Sequence, residues 1–249
     1  MSGHSKWATI KHKKGAADAK RGKLFAKLIR QVEVAARNGG GDPDANPTLR
    51  TMFQKARDAS VPLDTIERAV KRGTGELEGV TYEEVTYEGY APNGVAVFVE
   101  ALTDNRNRTG PEMRSLFSKL GGSIAEPGSV AWQFERKGVI RVPGSVSEDD
   151  IMMVAIDEGA EDIRDEAGTW VVVCDASSTA AVRHALEEAG IEVESSDLTM
   201  LPTSTVQLDT VEAVKPVLRL IDALDEHDDV QDVYANFDIP DGLLEKLEA

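Results

Sequence analysis

The chain has 249 residues, of which 41% are hydrophobic and 29% charged, a composition that supports a folded core and is too apolar for wholesale disorder. Its 28 Lys and Arg stand against 44 Asp and Glu, and the net charge of −16, taken as one figure, argues against contact with nucleic acid or anionic lipid. The one cysteine, Cys174, excludes an internal disulfide framework and a Cys-based zinc site and fits a cytoplasmic setting, while no apolar run approaches the roughly 18 residues that a membrane span requires.

The charge is unevenly distributed along the chain. Residues 1–72 hold 16 basic and 7 acidic side chains, a net of +9, and the remainder holds 12 and 37, a net of −25. Such asymmetry points to a basic module for a polyanion, carried on an acidic body. The opening stretch, Gly3 to Lys14, is basic and lacks both a sustained period and the apolar segment of a secretory signal, so Met1 is taken as the start of the working chain. It reads as an arm that orders on contact. Lys6, Lys11, Lys13 and Lys14 are candidates for ion pairs to phosphate, and Trp7 either stacks on a base or anchors the arm.

From Asp18 to Arg37, the residues Leu24, Phe25, Leu28, Ile29, Val32, Ala35 and Ala36 recur at three- and four-residue spacings, which predicts a helix with one buried face. Lys20, Lys23, Lys27, Arg30 and Arg37 fall within an arc of about 100° beside that face and are expected to be free to meet phosphate. Lys20, Arg21, Lys23, Lys27 and Arg30 therefore join the candidate nucleic-acid contacts. A second helix is predicted with Asn46 as N-cap, Pro47 in the first turn, and Leu49, Met52, Phe53 and Ala56 as its apolar stripe. In a third, Asp64 and Glu67 form a cap-like pair ahead of Ile66, Ala69 and Val70, and Gly73 stops the helix. Residues 1–78 thus read as a basic helical nucleic-acid-binding domain. The run Asp42-Pro43-Asp44-Ala45-Asn46 copies the start of a calcium loop, but Pro47 and Phe53 stand where that loop needs Gly and Glu.

Beyond Gly75 short β-rich runs alternate with helices. Strands are predicted at Tyr82–Tyr87 and Val95–Leu102, a helix at Pro111–Leu120 and a strand at Gly128–Phe134. Ahead of that helix, Thr109 and Glu112 form a capping box. Arg106 and Arg108 lie just before its N-terminus, which favours anions, so they either make a second phosphate contact or pair with neighbouring carboxylates. Next come a strand at Gly138–Val142, a helix at Glu148–Glu158, strands at Glu161–Asp165 and Thr169–Asp175, a helix at Ser178–Ala189 and a strand at Ile191–Met200. This β-α-β-β-α-β order is ferredoxin-like. Its third strand carries one aromatic, Trp170, which argues against an RNA-recognition surface. Thr205–Asp209, Val211–Asp225 and Val230–Phe237 complete the chain as β-α-β. The expected fold class is α+β: the N-terminal helical domain is followed by two α/β domains, a discontinuous one of residues 79–134 plus 204–249 and a ferredoxin-like insert of residues 135–203. A tandem of three domains is the alternative.

Catalytic constellations are missing from the sequence. His4, His12, His184 and His227 are scattered without ligand spacing, and neither a phosphate-cradling Gly-x-x-x-x-Gly-Lys nor a Gly-x-Ser-x-Gly occurs. Asp225-Glu226-His227-Asp228-Asp229 reads as a solvated helix end rather than a divalent-cation site. The expectation is a non-enzymatic chain without metal or cofactor.

Gly3-His4-Ser5-Lys6-Trp7, Arg21-Gly22-Lys23 with Phe25, Ile66-Glu67-Arg68-Ala69 and Gly73-Thr74-Gly75 resemble the N-terminal signature of the YebC/PmpR family. Tyr87-Glu88-Gly89-Tyr90, Thr103-Asp104-Asn105, Asn107-Arg108-Thr109 and Gly128-Ser129-Val130 resemble its middle, so the likeness spans nearly the whole chain. Ser60 stands where the family often has Asn, and Ala91 where it often has Gly. The resemblance implies a three-domain cytoplasmic bacterial protein that binds DNA as a transcriptional regulator. The same family includes mitochondrial translational activators and factors that act on the ribosome at proline-rich sequences. Two readings follow from it: a DNA-binding regulator, or a ribosome- and rRNA-binding translation factor, with oligomeric state open.

Overall fold

The structure is a computed structural model that describes residues 18–166, 168–240 and 243. Three helices come first, α1 (Asp18–Gly39), α2 (Pro47–Asp58) and α3 (Leu63–Gly73). Their apolar stripes meet in one core, in which Leu28, Val32, Ala35 and Ala36 of α1 pack with Leu49, Ala56, Ile66 and Ala69. Gly73 permits the closest approach: a Cβ there would lie 2.4 Å from the carbonyl oxygen of Glu33 and 2.7 Å from Cβ of Ala36. Beneath it the buried Glu33 carboxylate accepts from Nε of Arg72 at 2.8 Å and pairs with Arg37 at 3.6 Å. Asn46 caps α2 as expected, with Oδ1 accepting from the Leu49 amide at 3.0 Å, and its Nδ2 also donates to the Ala35 and Gly40 carbonyls, tying α2 to α1. The expected Asp64–Glu67 cap is not formed. α3 begins two residues earlier, behind Pro62, which places Asp64 in the first turn, where its charge favours the helix N-terminus.

α2 ends in a Schellman motif. The Val61 amide bonds to the Ala56 carbonyl and the Ser60 amide to that of Arg57, which requires a left-handed residue at position 60. Ser60 supplies it with φ of 64°, whereas the same motif closing the second helix of the inserted unit is supplied by Gly190.

The acidic body opens with β1 (Glu83–Tyr90), β2 (Ala96–Thr103), α4 (Arg106–Lys119) and β3 (Ser123–Ala125). There follow β4 (Phe134–Pro143), α5 (Glu148–Ala155), β5 (Ala160–Asp165), β6 (Thr169–Asp175), α6 (Thr179–Glu188) and β7 (Ser195–Pro202). The chain closes with β8 (Val206–Gln207), α7 (Val211–Asp225), β9 (Val230–Ala235) and β10 (Phe237–Asp238). The fold is therefore α+β. One antiparallel sheet has the order β3-β1-β2-β9, and Met113 and Phe117 of α4 pack with Val217, Leu220, Ile221 and Leu224 of α7 in the core that covers it. The other sheet, β5-β6-β4-β7, is antiparallel throughout and has the ferredoxin-like order. Trp132–Thr205 form one compact unit, and the described residues up to Ala131 and from Val206 form a second.

The strand expected over Gly128–Phe134 is a loop ending in a 3-10 turn at Ala131–Gln133. Its amides are taken by a side chain: the buried Glu88 carboxylate accepts from Gly128 at 2.6 Å, Val130 at 2.7 Å and Ala131 at 2.9 Å. Burial alone would raise the pKa of Glu88, but these three bonds outweigh it and hold the carboxyl below its ordinary value. The left-handed Ser60 yields the test of this level of description. Ser60→Gly should stabilise the protein by about 1 kcal/mol in denaturant unfolding, while Ser60→Ala should not; destabilisation by Gly would contradict the assignment.

Candidate functional site

The loop before α4 is built differently from its sequence expectation. Asn105 is the N-cap, its Oδ1 accepting from the Arg108 amide at 3.1 Å, so α4 starts five residues early and takes in Arg106, Arg108, Thr109 and Glu112. The expected Thr109–Glu112 capping box is therefore absent. Thr109 is buried, and its hydroxyl donates to Oδ2 of Asp229 at 2.7 Å. The Thr103 hydroxyl lies 2.7 Å from that of Thr109 and accepts from the Asn105 amide at 2.9 Å.

Asp229 sits where α7 turns into β9, with its side chain 6% exposed. Arg108 donates to the same Oδ2 at 2.6 Å and reaches Asp104 at 3.1 Å and Glu112 at 3.8 Å. Burial pushes the Asp229 pKa up, but hydrogen bonds from Thr109 and Arg108, the Arg108 charge and a bond from Thr103 outweigh it, so the carboxyl lies below its ordinary value. The main chain is held too: the Leu102 amide donates to the Asp229 carbonyl at 2.8 Å. His227 braces the turn. Its Nδ1 accepts from the Asp229 amide at 3.2 Å, which leaves Nε2 to donate to Glu112 at 3.0 Å.

Against this turn comes the cationic row of α1. Nζ of Lys23 donates to the Glu226 carbonyl at 2.9 Å, and Nζ of Lys27 donates to the Asp225 carbonyl at 3.0 Å and to its carboxylate at 3.1 Å. Arg30 donates to the Asp228 carbonyl, lies 3.9 Å from the Asp229 carboxylate and stands 5.6 Å from the centre of the Tyr82 ring. The carbonyls at a helix C-terminus lack intrahelical donors and carry partial negative charge, which makes them good acceptors for cations. A cleft of about 750 Å3 is left between the two, lined by Arg30, Tyr82, Arg108, Glu112, His227 and Asp229 among others.

Two expectations are corrected by this geometry. The stripe of α1 is not free, because Lys23, Lys27 and Arg30 cap the end of α7, and Arg37 donates to the Val80 carbonyl at 3.0 Å. The segment Asp225–Asp229 is not a solvated helix end, because Asp229 is buried and its neighbours hold the row of cations. Of the two alternatives for Arg106 and Arg108, the structure has the ion pairs: Arg106, 63% exposed, pairs with Glu83 at 3.7 Å, and Arg108 with Asp229. Lys20 and Arg21 lie on α1, whereas Lys6, Trp7, Lys11, Lys13 and Lys14 lie outside the described residues.

Donor atoms of Glu112, His227 and Asp229 fall within 4.8 Å of one another, close enough to suggest a metal centre. The Arg108 guanidinium already bonds Asp229 and approaches Glu112, so these acids hold a cation of the protein itself. Reading by periodicity passed over Arg57, Arg68 and Lys71. All three are exposed on α2 and α3, and none has a side-chain hydrogen bond or ion pair among the described residues. Their only sequence signal is that they fall opposite the buried stripes of those helices.

Residues 82–237 match the family model described as the TACO1/YebC second and third domain, and residues 5–76 that of the TACO1/YebC protein N-terminal domain. A "probable transcriptional regulatory protein" of Rubrobacter xylanophilus is 57% identical over 249 residues, covering 99% of each chain. One of the same name from Thermobifida fusca is 55% identical over 249 residues, 99% of this chain and 100% of that one. The crystal structure of a conserved hypothetical protein from Aquifex aeolicus is similar at a TM-score of 0.85 and 50% identity, over 95% of this chain and 98% of that one.

The carboxylate at the centre of the site has a measurable role in stability. Asp229→Ala leaves the buried Thr103–Thr109 pair without its acceptor and takes a partner from Arg108, and should cost about 1–3 kcal/mol in denaturant unfolding. Asp104→Ala, which removes an exposed partner of the same arginine, should cost less than about 1 kcal/mol. Equal effects would contradict the central place of Asp229.

Proposed function

The chain belongs to the TACO1/YebC family, and from that membership and its charge distribution we propose that it is a non-enzymatic, nucleic-acid-binding regulator of gene expression. The observation that carries this reading is the +9 charge of residues 1–72 beside a −25 body. Contacts within the protein account for Lys23, Lys27, Arg30, Arg37 and Arg72, and Arg57, Arg68 and Lys71 still face solvent. The phosphate backbone is met first by Lys6, Lys11, Lys13 and Lys14 of the arm and by the exposed Arg57, Arg68 and Lys71, with Trp7 stacking on a base or anchoring the arm. DNA is the first target, in keeping with the name that the relatives carry. The buried thiol of Cys174, pushed up in pKa by its burial, offers no reactive nucleophile.

A second reading is a factor bound to ribosomal RNA, and it is the one that gives the acidic body a partner. Arg50 and Gln54, two exposed side chains of α2 suited to base edges, are engaged by neighbours: Arg50 donates to the Pro43 and Asp44 carbonyls, and Gln54 to Asp58. An acidic body suits basic ribosomal proteins. Sedimentation of a lysate with and without DNase or RNase separates the two targets.

Affinity for a short labelled DNA duplex and for an rRNA hairpin should fall steeply with salt, with a log-log slope of roughly −4 to −5.5 if about six phosphates are engaged. Replacing Arg57, Arg68 and Lys71 together by Ala should make that slope shallower by about 2 to 3. A flat salt response from the full chain would refute nucleic-acid binding.

A further inference from the structure

Resting on the nucleic-acid reading, we infer that Lys23, Lys27 and Arg30 form a second phosphate-binding row that the carboxyl end of α7 occupies in the free protein and that a nucleic-acid backbone takes over by displacing it. The contacts have the chemistry of a phosphate strand. Positions 23, 27 and 30 share one face of α1, and along that face the turn after α7 sets the Asp225, Glu226 and Asp228 carbonyls and the Asp225 carboxylate. Oxygen acceptors thus meet each of the three cations, as successive phosphate oxygens would. The body's own acid stands in for the ligand.

The seam is built to open. The core of the helical module and that of the body share no residue, so parting them breaks neither core. α1 packs closely on α2 and α3, and it reaches the end of α7 through the long side chains of Lys23, Lys27 and Arg30. Residues 74–82 connect the module to β1 without helix or strand. What resists opening is a set of partly exposed charged contacts, which salt screens and a polyanion can replace one for one. On the body side nothing need rearrange, because Asp229 stays bonded to Arg108 and Thr109 once α1 has left.

The competition has two independent readouts in the full-length protein, with a labelled DNA duplex and an rRNA hairpin as probes. First, Asp225→Lys with Asp228→Lys repels the row and should raise probe affinity about tenfold more than Asp209→Lys with Glu212→Lys, an equal charge change at the exposed far end of α7. Adding Lys23→Ala, Lys27→Ala and Arg30→Ala to the first pair should remove that gain. Second, a zero-length carbodiimide should join Lys27 to Asp225, whose charged atoms lie 3.1 Å apart, and saturating probe should suppress the cross-link. Equal gains from the two charge reversals, or a cross-link yield unchanged at saturation, would overturn the competition while leaving nucleic-acid binding intact. Failure of every variant to bind either probe at low salt would refute the nucleic-acid reading and this inference together.

Discussion

Asp229 is a carboxylate taken out of water at the point where α7 turns into β9, and the local architecture follows from the need to satisfy it. Arg108 and Thr109 must both reach it, so α4 has to begin at Arg106, capped by Asn105. Its own carbonyl is held by the Leu102 amide beside an irregularity in the β2–β9 pairing at Glu100 and Ala101. That fixes where α7 ends, and with it the direction in which the last carbonyls of the helix point. An ion pair of this burial is weak evidence for net stability, since desolvation offsets much of the Coulomb gain, but once it is built the loss of one partner is costly. Its value lies in holding three elements in one arrangement.

From that arrangement the charge distribution takes its meaning. The chain's −16 separates into a basic module and an acidic body, and the two are joined by the contact of their opposite charges. The module's cations divide into classes with different partners. Arg37 and Arg72 serve the buried Glu33, Lys23, Lys27 and Arg30 serve the end of α7, and Arg57, Arg68 and Lys71 face solvent. A count of positive charge on a helix wheel merges all three. Of these three classes, the last is available to a polyanion without rearrangement.

The parts of the molecule that were legible in sequence are those governed by periodicity. The apolar spacing of α1 and α7 and the β-branched run of Thr169–Asp175 stand where they were expected, and the β-α-β-β-α-β order was sufficient for the ferredoxin-like sheet. What was not legible depends on residues distant in the chain. Thr109 looks like a cap until Asp229, 120 residues away, claims its hydroxyl. Gly128–Phe134 looks like a strand until Glu88 takes its amides. Asp225–Asp229 looks like a hydrated acidic end because no local pattern announces the lysines 198 and 203 positions away that will cover it. The family resemblance supplied the class of protein but not this junction.

The ionisation of Asp229 is the most direct probe of the account. A carboxylate held by Thr109, Arg108 and Thr103 against its burial titrates below the ordinary aspartate value of 3.8, so the stability it contributes is present above that pH and is lost as pH falls through its native pKa. Carboxyl-detected NMR titration of the full-length chain measures this at the residue itself. The account predicts a midpoint below 3.8 that moves upward in Arg108→Ala. A midpoint at or above 3.8, or one that Arg108→Ala leaves in place, would contradict it.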